Sequence, residues 1–294
     1  MGGMAIHSHF LHNGEIKNSS APSLNPGQLG LLSGWGVFST LRVADGGLFA
    51  WDRHWARMSR DARLLNVAMP ADRDLVEADL LRLLEANAAN NSTLRIAVVR
   101  NGGGLWQGAS NAAPSDLIAL TAPAKSWGES VRLSIQPDGR FAAGEFTTAK
   151  ILSWAPNLRW VERAQEQGFD EVILLNEHGR VAECTSANIF AVFGEKIVTP
   201  PVAEGCLPGI TREVLLEEVR VPGLHMTENS LTLDDLYRAD EVLITSTTRG
   251  LLPVRAIAGE NLNRNHAASL RLSASFQAFF SRDIASRKHA AVRA

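Results

Sequence analysis

A lysine whose amine attacks an aldehyde must be able to shed its proton, so it needs a pocket that disfavours the ammonium form. Lys150 stands in Thr147-Thr148-Ala149-Lys150 and is followed by Ile151-Leu152, small and apolar neighbours that suit such a pocket. Taken alone, it is more simply a surface lysine at a loop end. Three downstream segments change that reading. Glu183, in VAECTSANIF, ends a strand, and a carboxylate there can hydrogen-bond a protonated pyridine nitrogen and keep the ring able to accept electrons. The run Leu207-Pro208-Gly209-Ile210-Thr211 opens a helix whose free N–H groups and dipole suit a phosphate, with the Thr211 hydroxyl as an added donor. Thr245-Ser246-Thr247-Thr248 clusters hydroxyls at a strand end, where they can bind oxyanions. Upstream, Arg57 could clamp a phosphate oxygen. Each part also has a plain structural reading, as a solvated acid, a Pro-Gly helix start, an edge threonine or a surface arginine.

Other motifs are weaker. Gly34-Trp35-Gly36 lacks the third glycine and following helix of a dinucleotide site, and Gly102-Gly103-Gly104 lacks the Gly-Lys-Ser/Thr of a nucleoside-triphosphate loop. No Gly-x-Ser-x-Gly elbow is present, which disfavours a serine hydrolase. Cys184 and Cys206 have no paired spacing, so neither a disulfide framework nor a zinc site is expected. His7 and His9 lack a third ligand nearby and read as a polar lead-in rather than a metal site. A net charge of −2 gives no case for nucleic acid or an anionic membrane. No run reaches membrane-span length and no signal region opens the chain, so a soluble, cytoplasmic protein is the default.

The elements that position these residues alternate hairpins with helices. FLHNGEI reads as a hairpin turning at Asn13-Gly14; after a Pro/Ser/Asn-rich loop, GVFSTLRV at 36–43 is a strand that turns at Asp45-Gly46-Gly47. Asp52 is the expected N-cap of a helix through about Leu65, with Trp55, Met58, Ala62 and Leu65 as its core stripe and His54, Arg57 and Asp61 on another face. Further elements are expected as a helix near 72–88, strands at 94–100, 116–122 and 131–135, and a helix near 157–167 closed by Gly168. EVILL, VAE, ANIFAVF, KIVTP and EVLITS are strands, and helices start near Gly209 and span 233–238. SRKHAAVRA reads as a frayed, solvated tail. The mixture predicts an α+β architecture in two halves: 1–122, an interdomain linker at 123–130, and 131–294 carrying Lys150.

Together the segments GWGVFSTLRV, HWAR, TTAK, VAECTSANIF, LPGITRE and TSTTRGLLPV, in that order and spacing, resemble the class IV aminotransferase family of fold type IV pyridoxal-phosphate enzymes. That family includes branched-chain and D-amino-acid aminotransferases and aminodeoxychorismate lyases. The resemblance implies a smaller N-terminal α+β domain, a larger mixed, barrel-like C-terminal domain, pyridoxal 5'-phosphate at their interface, and a homodimer. It implies that Lys150 is the Schiff-base lysine, that Glu183 partners the pyridine nitrogen, and that Arg57 binds the phosphate. Gly209, Ile210, Thr211, Ser246 and Thr247 would complete the phosphate cup, with Leu207 against the cofactor ring.

Substrate choice is less legible. Branched-chain enzymes carry a tyrosine just after the lysine, whereas the aligned position here is Trp154, whose N–H donates but cannot accept. Trp35, Phe38, Trp127 and Trp154 could form a bulky aromatic pocket or be ordinary core, and Arg42 and Arg95 are candidates to bind a substrate carboxylate. The expected function is amino transfer between an amino acid with a bulky or branched side chain and a 2-oxo acid. The rivals are an aminodeoxychorismate lyase releasing pyruvate and 4-aminobenzoate, and a non-catalytic paralogue acting as a binding protein.

Overall fold

Two tight turns shape the first sheet. Asn13 and Gly14 have φ of 50° and 83°, and Asp45 and Gly46 have 47° and 78°, the paired positive φ values that match hairpin strand twist. The computed structural model describes residues 5–21, 28–103, 113–262 and 266–291; residues 22–27 of the Pro/Ser/Asn-rich loop, Gly104, and the last three residues of the chain lie outside that set.

Strands β1 (His9–His12), β2 (Glu15–Asn18), β3 (Gly36–Ala44), β4 (Gly47–Leu48), β5 (Ser92–Arg100) and β6 (Ser115–Pro123) form one antiparallel sheet in the order β2-β1-β6-β5-β3-β4. Helices α1 (Leu29–Ser33), α2 (Trp51–Leu64) and α3 (Arg73–Ala86) belong to the same unit. Leu41, Leu94 and Ile96 of the sheet pack with Trp51, Met58 and Leu80 of the helices in one buried core. Of the expected α2 stripe, Met58 and Ala62 are fully buried, while Trp55 and Leu65 are partly buried against the same core.

Asp52 is not the cap of α2. Ala50 occupies that position at φ 51°, and its backbone N–H is taken by Asp283 Oδ2 at 2.8 Å. Asp52 sits in the first helical turn and pairs with Arg73 and Arg287. The expected frayed tail is also corrected. Its Ser286–Ala291 portion continues α7 (Ala267–Ala291), and Arg287 is ion-paired to Asp283 and Asp52 rather than solvated.

The second unit holds β7 (Val131–Gln136), β8 (Glu171–Leu175), β9 (Val181–Cys184), β10 (Asn188–Phe193), β11 (Lys196–Thr199), β12 (His225–Glu228), β13 (Glu241–Ser246), β14 (Gly250–Ile257) and β15 (Glu260–Asn261). They make a mixed, curled sheet in the order β12-β11-β10-β13-β14-β7-β8-β9, with β15 paired to β14. Helices α4 (Ala155–Glu166), α5 (Ile210–Glu217) and α6 (Leu233–Arg238) complete it with the start of α7. Gly168, at φ 84°, closes the α4 turn as its position suggested. No helix among the described residues is long and apolar enough to cross a membrane.

The units are not continuous in sequence. The first comprises Met1–Lys125, Ala149–Trp154 and Arg282–Ala294; the second, Ser126–Thr148 and Ala155–Ser281. The linear division at 122 and 131 therefore differs where it matters most, because the Lys150 segment lies with the N-terminal strands. The reason is a short strand-like pairing: Phe38 N–H donates to Lys150 O at 3.0 Å, and Leu152 N–H to Gly36 O at 2.9 Å.

Candidate active site

In the first unit, the backbone fixes Lys150. Its own N–H donates to Asp61 Oδ2 at 2.9 Å, while the other Asp61 oxygen accepts Arg60 Nε at 2.9 Å. Helical spacing explains the arrangement, since His54, Arg57 and Asp61 stand three and four residues apart on one stripe of α2. That stripe is buried, with exposures of 0%, 8% and 1%. Arg57 Nη2 donates to Ser39 Oγ at 2.9 Å, and Ser39 lies 2.7 Å from His54 Nδ1.

The Lys150 amine lies 4.6 Å from the Phe38 ring centroid and 5.9 Å from that of Trp154. Phe38 and Trp154 meet edge to face at 6.1 Å, and the Arg95 guanidinium stacks 3.9 Å from the Phe38 centroid. Burial lowers the Arg95 pKa. Three of the expected substrate residues are thus gathered at the lysine. Arg42 is half-buried on β3, two positions beyond Thr40 and so on the Phe38 face of the strand. Trp35 has a structural task, donating its indole N–H to Leu65 O at 2.8 Å beneath the Arg100 guanidinium.

In the second unit, Glu183 is 3% exposed. Its Oε1 accepts Arg140 Nη2 at 2.5 Å, and among the described residues its Oε2 has a long contact, 3.4 Å, to Asn188 Nδ2. Asn188 is held instead by the Leu207 carbonyl at 2.8 Å. A Cβ on Gly209 would come 2.0 Å from Asn188 Oδ1, so the glycine lets the start of α5 pass the amide. Gly209→Ala is expected to cost about 1–3 kcal/mol of stability and to weaken cofactor retention, as read by thermal unfolding and by titration with the cofactor.

Gly209 is the N-cap of α5 and offers no side-chain acceptor to the first turn. Thr211 Oγ1, in that turn, is buried without a hydrogen-bond partner. Uncapped amides beside an unsatisfied hydroxyl fit a phosphate, and buried Glu183 fits a pyridine nitrogen. Ser246 Oγ accepts the Arg249 N–H at 3.3 Å, and the turn holding Thr247 is pinned by Arg249, whose guanidinium donates to Ser186 Oγ at 2.9 Å and Glu171 Oε2 at 3.0 Å. Trp127 lies in this unit as a platform under Arg249, 4.0 Å away. Neither thiol is a nucleophile here: burial drives Cys184 well above its ordinary pKa and pushes Cys206 up to about 12.

His54 carries a pH signature. Burial, then the Arg57 and Lys150 charges, hold its pKa well below the usual value of 6.5. The unfolded chain therefore binds the proton that the folded chain refuses, and stability falls as pH drops below about 6.5, by up to about 1.4 kcal/mol per pH unit. Unfolding midpoints between pH 7 and pH 5 are expected to fall more steeply than in His54→Gln.

Sequence reasoning did not find Arg140, Asn188, Ser39 or the role of Asp61. Asp61 had a signal, its helical register with Arg57; Asn188 lay inside the VAECTSANIF motif; Arg140, in a loop, had none.

The profile of amino-transferase class IV matches residues 36–257. The D-alanine aminotransferase of Bacillus licheniformis is 28% identical over 260 residues, 86% of this chain and 89% of its own. The branched-chain-amino-acid aminotransferase of Pseudomonas aeruginosa is 27% identical over 244 residues, 78% of each chain. The structure of the Escherichia coli branched-chain amino acid aminotransferase superimposes with a TM-score of 0.82 at 23% identity, covering 93% of this chain and 95% of that one. The fold is that of the fold type IV pyridoxal-phosphate enzymes, an α+β fold with a curled mixed sheet. The chain belongs to the class IV aminotransferase family, whose members use pyridoxal 5'-phosphate.

Proposed function

We propose that the protein moves an amino group between an amino acid with a bulky or branched side chain and a 2-oxo acid, with Lys150 as its catalytic base. The placement of the Lys150 amine against Phe38 and Trp154, its backbone held by Asp61, is the observation that carries this reading. Bound pyridoxal phosphate supplies a ring that accepts the electrons released when a substrate Cα–H bond breaks. By the family resemblance, Arg57 and Thr247, with the N–H groups of Ile210 and Thr211 and the hydroxyls of Thr211 and Ser246, would hold the phosphate. Glu183 would accept the hydrogen of the pyridine nitrogen and keep it protonated, and Leu207 would pack on the ring. Lys150 would be the base that takes up the substrate Cα proton and delivers it to the cofactor's aldehyde carbon, on the other side of the nitrogen.

Arg95 and Arg42 bind substrate carboxylate, and Phe38 and Trp154 pack against the side chain. Trp35 and Trp127 are left as platforms for Arg100 and Arg249, each within its own unit. The Bacillus licheniformis and Pseudomonas aeruginosa relatives are both aminotransferases by name, one for D-alanine and one for branched-chain amino acids. A homodimer is the family's usual assembly, and a cytoplasmic location suits two free, buried thiols.

The test is a half-reaction. Holoenzyme mixed with single L- and D-amino acids and no oxo acid is expected to convert its cofactor to the amine form once and stop. Catalytic release of pyruvate and 4-aminobenzoate from aminodeoxychorismate, without any oxo acid, would overturn this in favour of a lyase. A colourless preparation that takes up no added cofactor would favour a binding protein.

A further inference from the structure

His54 has no part in the proposed chemistry, yet it is fully enclosed on the Arg57–Asp61 stripe of α2. Its depressed pKa keeps the imidazole neutral, with one N–H and one accepting nitrogen. Ser39 decides which is which. Arg57 Nη2 can only donate, so Ser39 Oγ accepts from it at 2.9 Å. A hydroxyl oxygen can accept twice, so what decides is the buried Ser39 hydrogen, which needs an acceptor and finds it in His54 Nδ1, 2.7 Å away. His54 carries its own hydrogen on Nε2, an atom with no hydrogen-bond partner.

The direction of these hydrogen bonds matters to the arginine. An imidazolium would donate to Ser39, leave the Ser39 hydrogen without this acceptor and set a second cation beside Arg57. A neutral imidazole instead draws the Ser39 hydrogen away and leaves a lone pair aimed at the guanidinium. A long, flexible arginine is thereby held at one nitrogen, and part of its ordering cost is met before an anion arrives.

We infer that Ser39 and His54 are positioning residues, a two-member relay that fixes the Arg57 guanidinium for the phosphate of the cofactor; the inference rests on the reading of this site as a pyridoxal-phosphate site. Neither residue needs to touch the ligand. The relay acts on the phosphate end alone, which separates it from general packing.

The experiment compares the affinity of the full-length, cofactor-stripped protein for pyridoxal phosphate and for pyridoxal, which lacks the phosphate. Ser39→Ala is expected to weaken pyridoxal phosphate roughly tenfold and to leave pyridoxal within about twofold, so the ratio of the two collapses. Ser39→Thr, which keeps the hydroxyl, is expected to retain the ratio. If Ser39→Ala does not fold, His54→Phe, which removes both ring nitrogens and with them the acceptor of the Ser39 hydrogen, is read the same way. Equal loss for both ligands, or no loss for either, overturns the relay while leaving the cofactor reading intact. A wild-type protein that binds neither ligand overturns the cofactor reading and the relay with it.

Discussion

Lys150→Ala is expected to bind pyridoxal phosphate without a covalent link and to run the amino-acid half-reaction about 10⁴-fold more slowly, or worse. The variant should fold. The segment is held through backbone groups that alanine keeps, namely the N–H to Asp61 and the carbonyl to Phe38, and the lost side chain gives up its ring contacts with Phe38 and Trp154. What disappears is the amine proposed to take up and return the Cα proton. Borohydride reduction with peptide mapping should therefore label position 150 in the wild type and no residue in the variant. Added small primary amines should restore part of the rate by entering the vacated space. Label on another lysine in the wild type, or undiminished turnover in the variant, would sink the assignment.

Glu183→Gln carries the second large effect, an expected fall of about 10²–10³ in the same half-reaction. The amide matches the carboxylate in shape but brings no negative charge to a protonated ring nitrogen. Stability should fall as well. The Arg140 and Glu183 side chains are 21% and 4% exposed, and breaking a buried pair of this kind costs about 3–5 kcal/mol because the remaining charge is stranded. Thermal unfolding reads the second loss and single-turnover absorbance the first. Glu183→Gln with wild-type single-turnover rates would show that the carboxylate serves packing alone.

The hairpins and most helices could be read along the chain because their causes are local. Asn13-Gly14 and Asp45-Gly46 can take positive φ, Thr232 and Asp235 cap α6 reciprocally, and Gly168 stops α4. The start of α2 could not be read this way. Asp52 has the chemistry of a cap, but the true cap is Ala50, whose N–H finds Asp283, 233 residues away. A partner that distant leaves no periodic trace. The long helix α7 was missed although Leu272, Phe276, Phe280 and Ile284 recur every four residues and are buried, because its basic end resembles a solvated tail.

The site divides the same way. Lys150, Glu183 and the Gly209–Thr211 helix start could be proposed along the chain because the resemblance to class IV aminotransferases pointed to them. The charges that hold them were not, since Arg140 is 43 residues from Glu183 and Asp61 is 89 from Lys150. Aromatic residues were the least legible. Phe38 and Trp154 stand at the lysine, whereas Trp35 and Trp127 carry arginines, and nothing in their local sequence separates the two uses.

The six residues Ala149–Trp154 are threaded back into the N-terminal unit from within the other one. A gene cut at the 125/126 boundary would thus strand the reactive amine on the wrong fragment and strip β3 of its bridge at Val37–Ile151. Halves exchanged at that boundary would set the Ala149–Trp154 segment against a β3 it was not built to pair with.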